Sequence, residues 1–530
     1  MRLGIDFGTT RIVVAAVDRG NYPVAAFECP DGASREWVPP LIAVRGTERL
    51  YGWDAWAAQG TGGVTVIRSI KRVLAGAGPE THIELAGHSL ALGCLLTEML
   101  SYLKEAILTK SSLHLEPGEP LEIMLGVPAN ANSNQRFLTA EGFRAAGFDV
   151  LGLLNEPSAA SIESSHRLGG NGGKEPERIL VYDLGGGTFD VSLVLREDRL
   201  HTVAATEAIP TLGGDDFDDL LADLAMEKAG LASARHSLTQ AEEFVLVEEC
   251  REKKESLHPN TRRLMIDLDR VREGWPQVAV RVADYYERVQ PMAEETLHAT
   301  EDLIDRAMEQ QNTTLYVTGG ASELPLIGRL LRDRFGRRVR RSAYTRAATA
   351  IGLAIQADAQ SAYTLHERFT RYFGVWREAD EGRVMVFDPL FERGAALPAP
   401  GQPPLERVRL YSPAHNIGHF RYLECSHRGE HGEPTGDIAA WDEIRFPFDP
   451  ALAASPELNG VDVSRSPAAA NHVIEERYSA DASGALLVRI TNLTAGYSRE
   501  FRLARWAPAQ PPARRVKPQR TPRKRTGANE

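Results

Sequence analysis

Two stretches of the chain repeat one pattern: an apolar run, an aspartate, a turn rich in glycine and threonine, and a second run of β-type residues. The first passes from Leu3, Gly4 and Ile5 through Asp6-Phe7-Gly8-Thr9-Thr10 into Ile12-Val13-Val14-Ala15-Ala16-Val17. The second passes from Ile179-Leu180-Val181-Tyr182 through Asp183-Leu184-Gly185-Gly186-Gly187-Thr188 into Phe189-Asp190-Val191-Ser192-Leu193-Val194-Leu195. Each copy predicts a hairpin, and the duplication predicts two similar lobes. Between them, helical spacing of apolar positions predicts helices over 95–109 and 133–146, and the apolar run 122–127 predicts a buried strand. Strands alternating with helices indicate an α/β fold.

Further along, 217–230 and 240–257 are amphipathic and charged, which predicts solvent-facing helices of a mobile subdomain. Leu315-Tyr316-Val317-Thr318 reads as a strand feeding the Gly319-Gly320 turn, residues 325–334 as the following helix, and helical signal runs on to about 360. From Phe373 the texture changes to short alternating runs broken by Pro, Gly and Asn, among them 383–387, 406–411 and 486–490. A β-sandwich is the natural packing for such strands. The expected division is therefore an α/β unit over 1–360, a linker over 361–370, a sandwich over 371–505 and a disordered Pro/Arg-rich tail over 506–530.

The chain of 530 residues is too long for one core. Its net charge of −11 argues against a general nucleic-acid binder, whose phosphate contacts need clustered Lys and Arg. The four cysteines, Cys29, Cys94, Cys250 and Cys425, are scattered without a CxxC pair, so no disulfide framework or zinc site is indicated and a reducing compartment fits. With no leader-like segment at the N-terminus and no run of membrane-spanning length, the expected location is the cytoplasm. His415 and His419 stand four apart with no third ligand in sequence, which reads as packing or hydrogen bonding.

The two Asp–Gly–Thr turns carry the chemistry. A carboxylate at the end of a buried strand supplies a hard oxygen, and the following turn supplies a row of backbone N–H donors, a combination suited to Mg²⁺ and phosphate. Glycine lets the backbone come close to phosphate oxygens, and threonine adds an uncharged hydroxyl donor. Two such hairpins facing each other could hold the β- and γ-phosphates of a nucleotide from opposite sides.

These residues carry a resemblance. Ile5-Asp6-Phe7-Gly8-Thr9-Thr10, Asp183-Leu184-Gly185-Gly186-Gly187-Thr188-Phe189-Asp190 and Val317-Thr318-Gly319-Gly320 resemble the phosphate and adenosine motifs of the actin-like (ribonuclease H-like) ATPases. Lys71-Arg72-Val73-Leu74, Val127-Pro128-Ala129 with Gln135-Arg136, Asn155-Glu156-Pro157-Ser158-Ala159-Ala160 and Leu212-Gly213-Gly214-Asp215-Asp216-Phe217-Asp218 are similar to signatures of the 70-kilodalton heat-shock (DnaK-like) chaperones. The resemblance implies a two-lobed actin-like ATPase followed by a β-sandwich that binds client polypeptide. It implies ATP/ADP and Mg²⁺ as cofactors, and a J-domain co-chaperone and a nucleotide exchange factor as partners. Asp6, Glu156 and Asp183 would surround the Mg²⁺, mostly through its waters. Lys71 would help place the attacking water, with Glu156, Asp183 and Thr188 completing the catalytic group. Gly8, Thr9, Thr10, Gly185, Gly186, Gly187, Thr188, Gly213, Gly214, Lys254, Gly319 and Gly320, with Asp6, would line the nucleotide.

The sequence departs from that pattern at the base. Glu255 and Glu323 stand where the chaperones carry two arginines that sandwich adenine, so weaker adenine binding is expected. Asn130-Ala131 replace an aromatic pair after Val-Pro-Ala, and residues 361–369, SAYTLHERF, replace a Leu-rich linker. Asp388-Pro389-Leu390-Phe391-Glu392-Arg393-Gly394 and Glu475-Glu476-Arg477-Tyr478-Ser479-Ala480-Asp481 faintly resemble the chaperone sandwich, after which the expected helical lid is replaced by the Pro/Arg tail. Two other readings stay open: a nucleotide-sensing scaffold or partner-recruitment module with little turnover, and a small-metabolite kinase on the same fold, for which no acceptor base is seen.

Overall fold

A computed structural model describes residues 1–503 except 79–80, 117, 168–176, 198–199, 307–312, 362–367, 381–382, 399–401, 456–457, 459 and 482–483. Most of the expected linker and the whole expected tail therefore lie outside the described residues.

Two mixed sheets share one topology. In the first the spatial order is Asp149–Asn155, Glu122–Val127, Arg2–Phe7, Ile12–Ala16, the first three parallel and the last antiparallel. In the second it is Leu200–Ile209, Phe189–Glu197, Glu177–Leu184, Thr313–Thr318, Val339–Arg341, where the antiparallel hairpin is again continued by two parallel strands. Leu200–Ile209 is the extra edge strand. The strands run slightly further than the apolar pattern suggests: Asp6 is in register with Val13, and Asp183 with Asp190. The aspartates are thus the last but one residues of their strands, because the ladder continues through Phe7 and Leu184 until the glycine breaks it.

The predicted helices appear as Leu92–Lys110, Ser133–Ala145, Gln240–Glu255 and Pro325–Phe335. One differs from its reading as a solvent-facing helix. Gly214–Lys228 buries Phe217, Leu221, Ala222, Leu224, Ala225 and Met226, because the hairpin Arg263–Asp267/Gln277–Arg281 and the helix Val282–Arg306 cover it. The signal read as helix up to about 360 divides into the strand Val339–Arg341 and the helix Ala348–Ala357.

Two small-residue helices join the sheets. Ala348–Ala357 packs on the first sheet through Ala350, Leu353 and Ala354, and Glu156–Arg167 puts Ala160 against Ile179, Val181 and Tyr316 of the second. They cross where Gly352 meets Ala159: a Cβ on Gly352 would stand 1.8 Å from the Ala159 carbonyl oxygen. Gly4 meets the other side of the same helix, where a Cβ would stand 2.2 Å from the Ala354 nitrogen. Since backbone cannot yield as a side chain can, Gly352→Ala is expected to cost at least about 1–3 kcal/mol of stability. A thermal melt of the variant checks this, and a wild-type midpoint would contradict the packing.

Beyond residue 370 the chain forms two antiparallel four-stranded sheets. One orders Val384–Phe391, Tyr372–Ala379, Ile417–Arg428, Pro434–Pro447, and the other Leu405–Tyr411, Ile474–Ala480, Leu486–Asn492, Tyr497–Arg502. Ile474–Ala480 alternates buried and half-buried residues along its length, the period of a strand with one face in a core. Phe373, Phe391, Phe420 and Phe446 from one sheet and Ile474, Tyr478, Val488 and Ile490 from the other fill that core. This layer meets the first lobe through backbone acceptors: Thr370 Oγ1 donates to the Ala131 carbonyl and Arg371 Nη1 to the Asn130 carbonyl, both at 3.5 Å. Because carbonyls make these contacts, the missing aromatic pair at 130–131 does not prevent them. His419 hydrogen-bonds Glu443 at 2.9 Å, and His415 lies 3.8 Å from Glu378, so the two histidines face separate carboxylates.

Candidate functional site

The two duplicated turns meet across a cleft. Each is closed by the same hydrogen bond, Gly8 N–H to the Arg11 carbonyl at 3.0 Å and Gly185 N–H to the Thr188 carbonyl at 2.9 Å. A Cβ on Gly186 would lie 2.3 Å from Thr10 Oγ1, and one on Gly187 would lie 3.2 Å from Thr9 Oγ1. Only glycine permits this approach. Arg72 ties the lobes further by donating from Nη2 to the Gly187 carbonyl at 2.5 Å.

Asp6, Gly8, Thr9, Thr10, Lys71, Glu156, Asp183, Gly185, Gly186, Thr188, Gly214, Lys254, Gly319 and Gly320 all line the cleft. Gly187 and Gly213 sit immediately behind: a Cβ on Gly213 would strike the Gly186 carbonyl at 2.5 Å. Gly319 has φ of 83°, and a Cβ there would stand 2.4 Å from Asp183 Oδ1, so the third glycine turn wraps the second aspartate. Lys254 is held by the Gly214 carbonyl at 2.6 Å and by Asp218 at 2.7 Å.

At the floor, Lys71 Nζ donates to Glu156 Oε1 at 2.6 Å. Burial by itself would lower the lysine pKa, but the Glu156 and Asp6 carboxylates outweigh it and hold the ammonium charged. The carboxyls respond in the opposite sense. Burial, then the Glu156 charge, pushes Asp6 up to about 7, only partly offset by Lys71. Asp190 is likewise pushed up to about 7 by burial and Glu156. Asp183 is raised well above the ordinary range by burial and then by Asp190, Asp6 and Glu156. Asp190 is absent from the residues singled out in the sequence. Its signal was available, since it closes the same Gly-Gly-Gly-Thr-Phe-Asp run and lies directly across the ladder from Asp183.

Asp6, Glu156, Asp183 and Asp190 therefore share one buried floor with Lys71 as the cation among them. A surplus of buried carboxylate oxygen is the donor set a hard divalent cation requires. Among the described residues no three His, Cys, Asp or Glu side chains converge into a direct metal shell.

Comparison with known proteins follows the same lines. The family model described as "Hsp70 protein" matches residues 82–368. The chain belongs to the Hsp70 family. Its similarity to curated Hsp70 relatives extends beyond that segment. It is 30% identical over 375 residues to the chaperone protein HscA of Enterobacter sp. (strain 638), an alignment covering 68% of this chain and 58% of the relative. It is 31% identical over 371 residues to HscA of Klebsiella pneumoniae (strain 342), covering 67% and 57%. It is 32% identical over 377 residues to HscA of Salmonella newport (strain SL254), again covering 67% and 57%. The chain thus spans under three-fifths of the length of these relatives. Membership in the Hsp70 family implies an actin-like ATPase fold with a β-sandwich, in keeping with the two matched sheets and the sheet-rich C-terminal part. No helix among the described residues is long and apolar enough to cross a membrane.

The surroundings of Glu255 and Glu323 hold cations that the sequence reading did not include. Glu255 and Glu323, the two departures read in the sequence, both meet cations from elsewhere in the chain. Arg346 Nη1 donates to Glu255 Oε2 at 2.8 Å, and its Nη2 to Glu323 Oε2 at 2.7 Å. Arg11, from the opposite lobe, donates to Glu255 Oε1 at 2.5 Å and lies 4.6 Å from the centroid of the Trp37 ring. Glu255 and Glu323 thus sit in one charge-paired cluster with Arg11 and Arg346.

Proposed function

We propose that this Hsp70-family protein is a Mg²⁺-dependent ATPase whose turnover is linked to binding of unfolded or client polypeptide by its sandwich. The observation that carries the reading is the meeting of the two Asp–Gly–Thr turns over one buried carboxylate floor. Phosphoryl transfer to water asks mainly for alignment and charge neutralisation, and this cleft offers both. Backbone N–H groups and hydroxyls of Thr9, Thr10 and Thr188 would hold phosphate oxygens. Asp6, Glu156 and Asp183 would hold the Mg²⁺, whose role when bound is to neutralise phosphate charge. Lys71, pinned by Glu156, would orient the attacking water. Gly213, Gly214, Lys254, Gly319 and Gly320 would flank the nucleoside.

By family likeness the partners are hydrophobic peptide segments, a J-domain co-chaperone and a nucleotide exchange factor. The scattered cysteines, all free, fit a reducing compartment such as the cytoplasm. The deciding experiment is steady-state ATP hydrolysis by the whole protein, with and without unfolded polypeptide. Turnover that stops in excess chelator and returns with Mg²⁺ is expected, and hydrolysis indifferent to chelation would count against the floor as a metal site. A fluorescent hydrophobic peptide is expected to bind weakly and dissociate fast. The altered base end and linker favour one alternative, a nucleotide-sensing scaffold. Nucleotide binding with no turnover and no peptide binding would point to it.

A further inference from the structure

We propose that the edge strand Val339–Arg341 and the helix leading into it form a binding surface for single-stranded nucleic acid. Residues 329–341, RLLRDRFGRRVRR, carry seven arginines, no lysine and one carboxylate, Asp333. The net charge of −11 excludes a binder whose whole surface is basic, and it leaves room for one local patch. The fold makes that patch. The helix Pro325–Phe335 turns Leu326, Ile327, Leu331 and Phe335 into the core, which leaves Arg329, Arg332 and Arg334 outside. A short turn over Gly336–Arg338 then delivers the chain to Val339–Arg341, the outermost strand of its sheet, paired on one side only.

Most of this charge is not neutralised within the chain. Arg334 is taken up by Glu301, with Nε at 2.6 Å and Nη2 at 2.9 Å, and Arg329 lies 5.9 Å from the centroid of the Tyr286 ring. Arg338 Nε donates to the Phe335 carbonyl. Among the described residues Arg332, Arg337, Arg338 and Arg340 form no ion pair, and neither does Asp333. Other exposed arginines each have a carboxylate, Arg281 with Asp284, Arg288 with Glu227 and Arg489 with Glu500. Crowding unpaired like charges is unfavourable, and guarding a three-residue edge against stray pairing needs only one or two of them. A phosphate backbone relieves the repulsion and releases its own condensed counterions.

The residue types choose among polyanions. Guanidinium groups grip phosphate oxygens in pairs and stack on base planes, which an ammonium does not. Three residues past the strand, Tyr344 is 54% exposed and offers a ring on which an unstacked base can lie. It is the only exposed large apolar side chain in residues 313–346, so the patch lacks the apolar face that seats a basic element in a lipid surface. The helix Pro325–Phe335 lies against the core and does not project as a groove-reading helix would, which favours a single strand over a duplex.

The test is fluorescence anisotropy of the whole protein with a fluorescein-labelled single-stranded RNA of about twelve nucleotides. Four or five phosphate contacts predict binding whose logarithm falls with the logarithm of salt at a slope of about −3. Changing Arg332→Gln, Arg337→Gln and Arg340→Gln together is expected to weaken binding at least about tenfold and to flatten that slope by about 2. Tyr344→Ala is expected to weaken it about fivefold with the slope unchanged, since a stack carries no charge. Absence of binding by the wild type at low salt overturns the proposal, as does wild-type affinity in the triple variant. A loss that follows instead from Arg514→Gln, Arg515→Gln, Arg523→Gln and Arg525→Gln would assign the binding to the Pro/Arg-rich segment and overturn it too. Wild-type affinity in Tyr344→Ala, equal binding to phosphatidylglycerol vesicles, or displacement of the RNA by polyglutamate at matched charge would make the patch a general anionic surface and reject the assignment. Melting midpoints at the wild-type value show that each variant is folded.

Discussion

Replacing Lys71 with alanine is expected to slow hydrolysis at saturating ATP by at least about a hundredfold while the chain stays folded. Lys71 is the ammonium set among the four floor carboxylates, and its 2.6 Å contact with Glu156 fixes where that charge stands. On the proposed reading, removing it takes away both a donor that would hold the attacking water and the positive charge that would face the γ-phosphate. Loss of a buried pair often unfolds a protein because a charge is stranded. Here the floor has another outlet, since burial and the Glu156 charge push the Asp6 and Asp190 carboxyls up to about 7, and either can take up a proton in place of the lost cation. Asp183→Asn should have a comparable effect on rate for a different reason, the loss of one oxygen ligand charge. Single-turnover kinetics beside a thermal melt measures both quantities, and either variant turning over at the wild-type rate would remove its residue from the catalytic group.

How much of this was legible in the sequence depended on whether the signal was local. The two hairpins were plain because strand, glycine and threonine are contiguous in each, and the structure brings their tips into contact at Gly186 and Thr10. The crossing of Gly352 on Ala159 was not legible. Nothing near either residue says that two helices will touch there, and an alanine-rich helix reads alike whether it faces solvent or another backbone. The burial of Gly214–Lys228 was missed for a related reason: its acidic first turn and single lysine look solvent-facing, but Asp218 is itself buried against Lys254 and Arg251 from a helix that follows in the chain. Glu255 and Glu323 could be read singly as departures from the resemblance. Their compensation could not, since Arg11 and Arg346 lie 244 and 91 residues away from Glu255 in the chain.

Glu476→Ala is expected to destabilise the sandwich by about 3–5 kcal/mol and to leave the cleft between the two Asp–Gly–Thr hairpins intact. Glu476 is fully buried, and it holds the two sheets together by charge at a point where an apolar pair would be the usual choice. Its Oε2 accepts from Arg377 Nη2 at 2.7 Å and from the Tyr478 hydroxyl at 2.5 Å, while Oε1 accepts from the Tyr411 hydroxyl at 2.5 Å and Arg377 Nη1 at 3.2 Å. Arg377 comes from the opposite sheet and reaches on to Asp388, which Arg409 also grips at 2.8 Å. Without the Glu476 carboxylate, Arg377 keeps only Asp388, the half-buried Tyr411 hydroxyl loses its acceptor, and the buried Tyr478 hydroxyl keeps only Tyr422. Replacing Arg377 and Glu476 together by methionine and leucine should cost far less, because no charge is then stranded. Urea unfolding followed by intrinsic fluorescence, with ATP hydrolysis assayed in parallel, separates the cases. A double variant as unstable as Glu476→Ala would mean that the network acts through packing shape, whereas recovery of stability would assign the cost to the unpaired guanidinium.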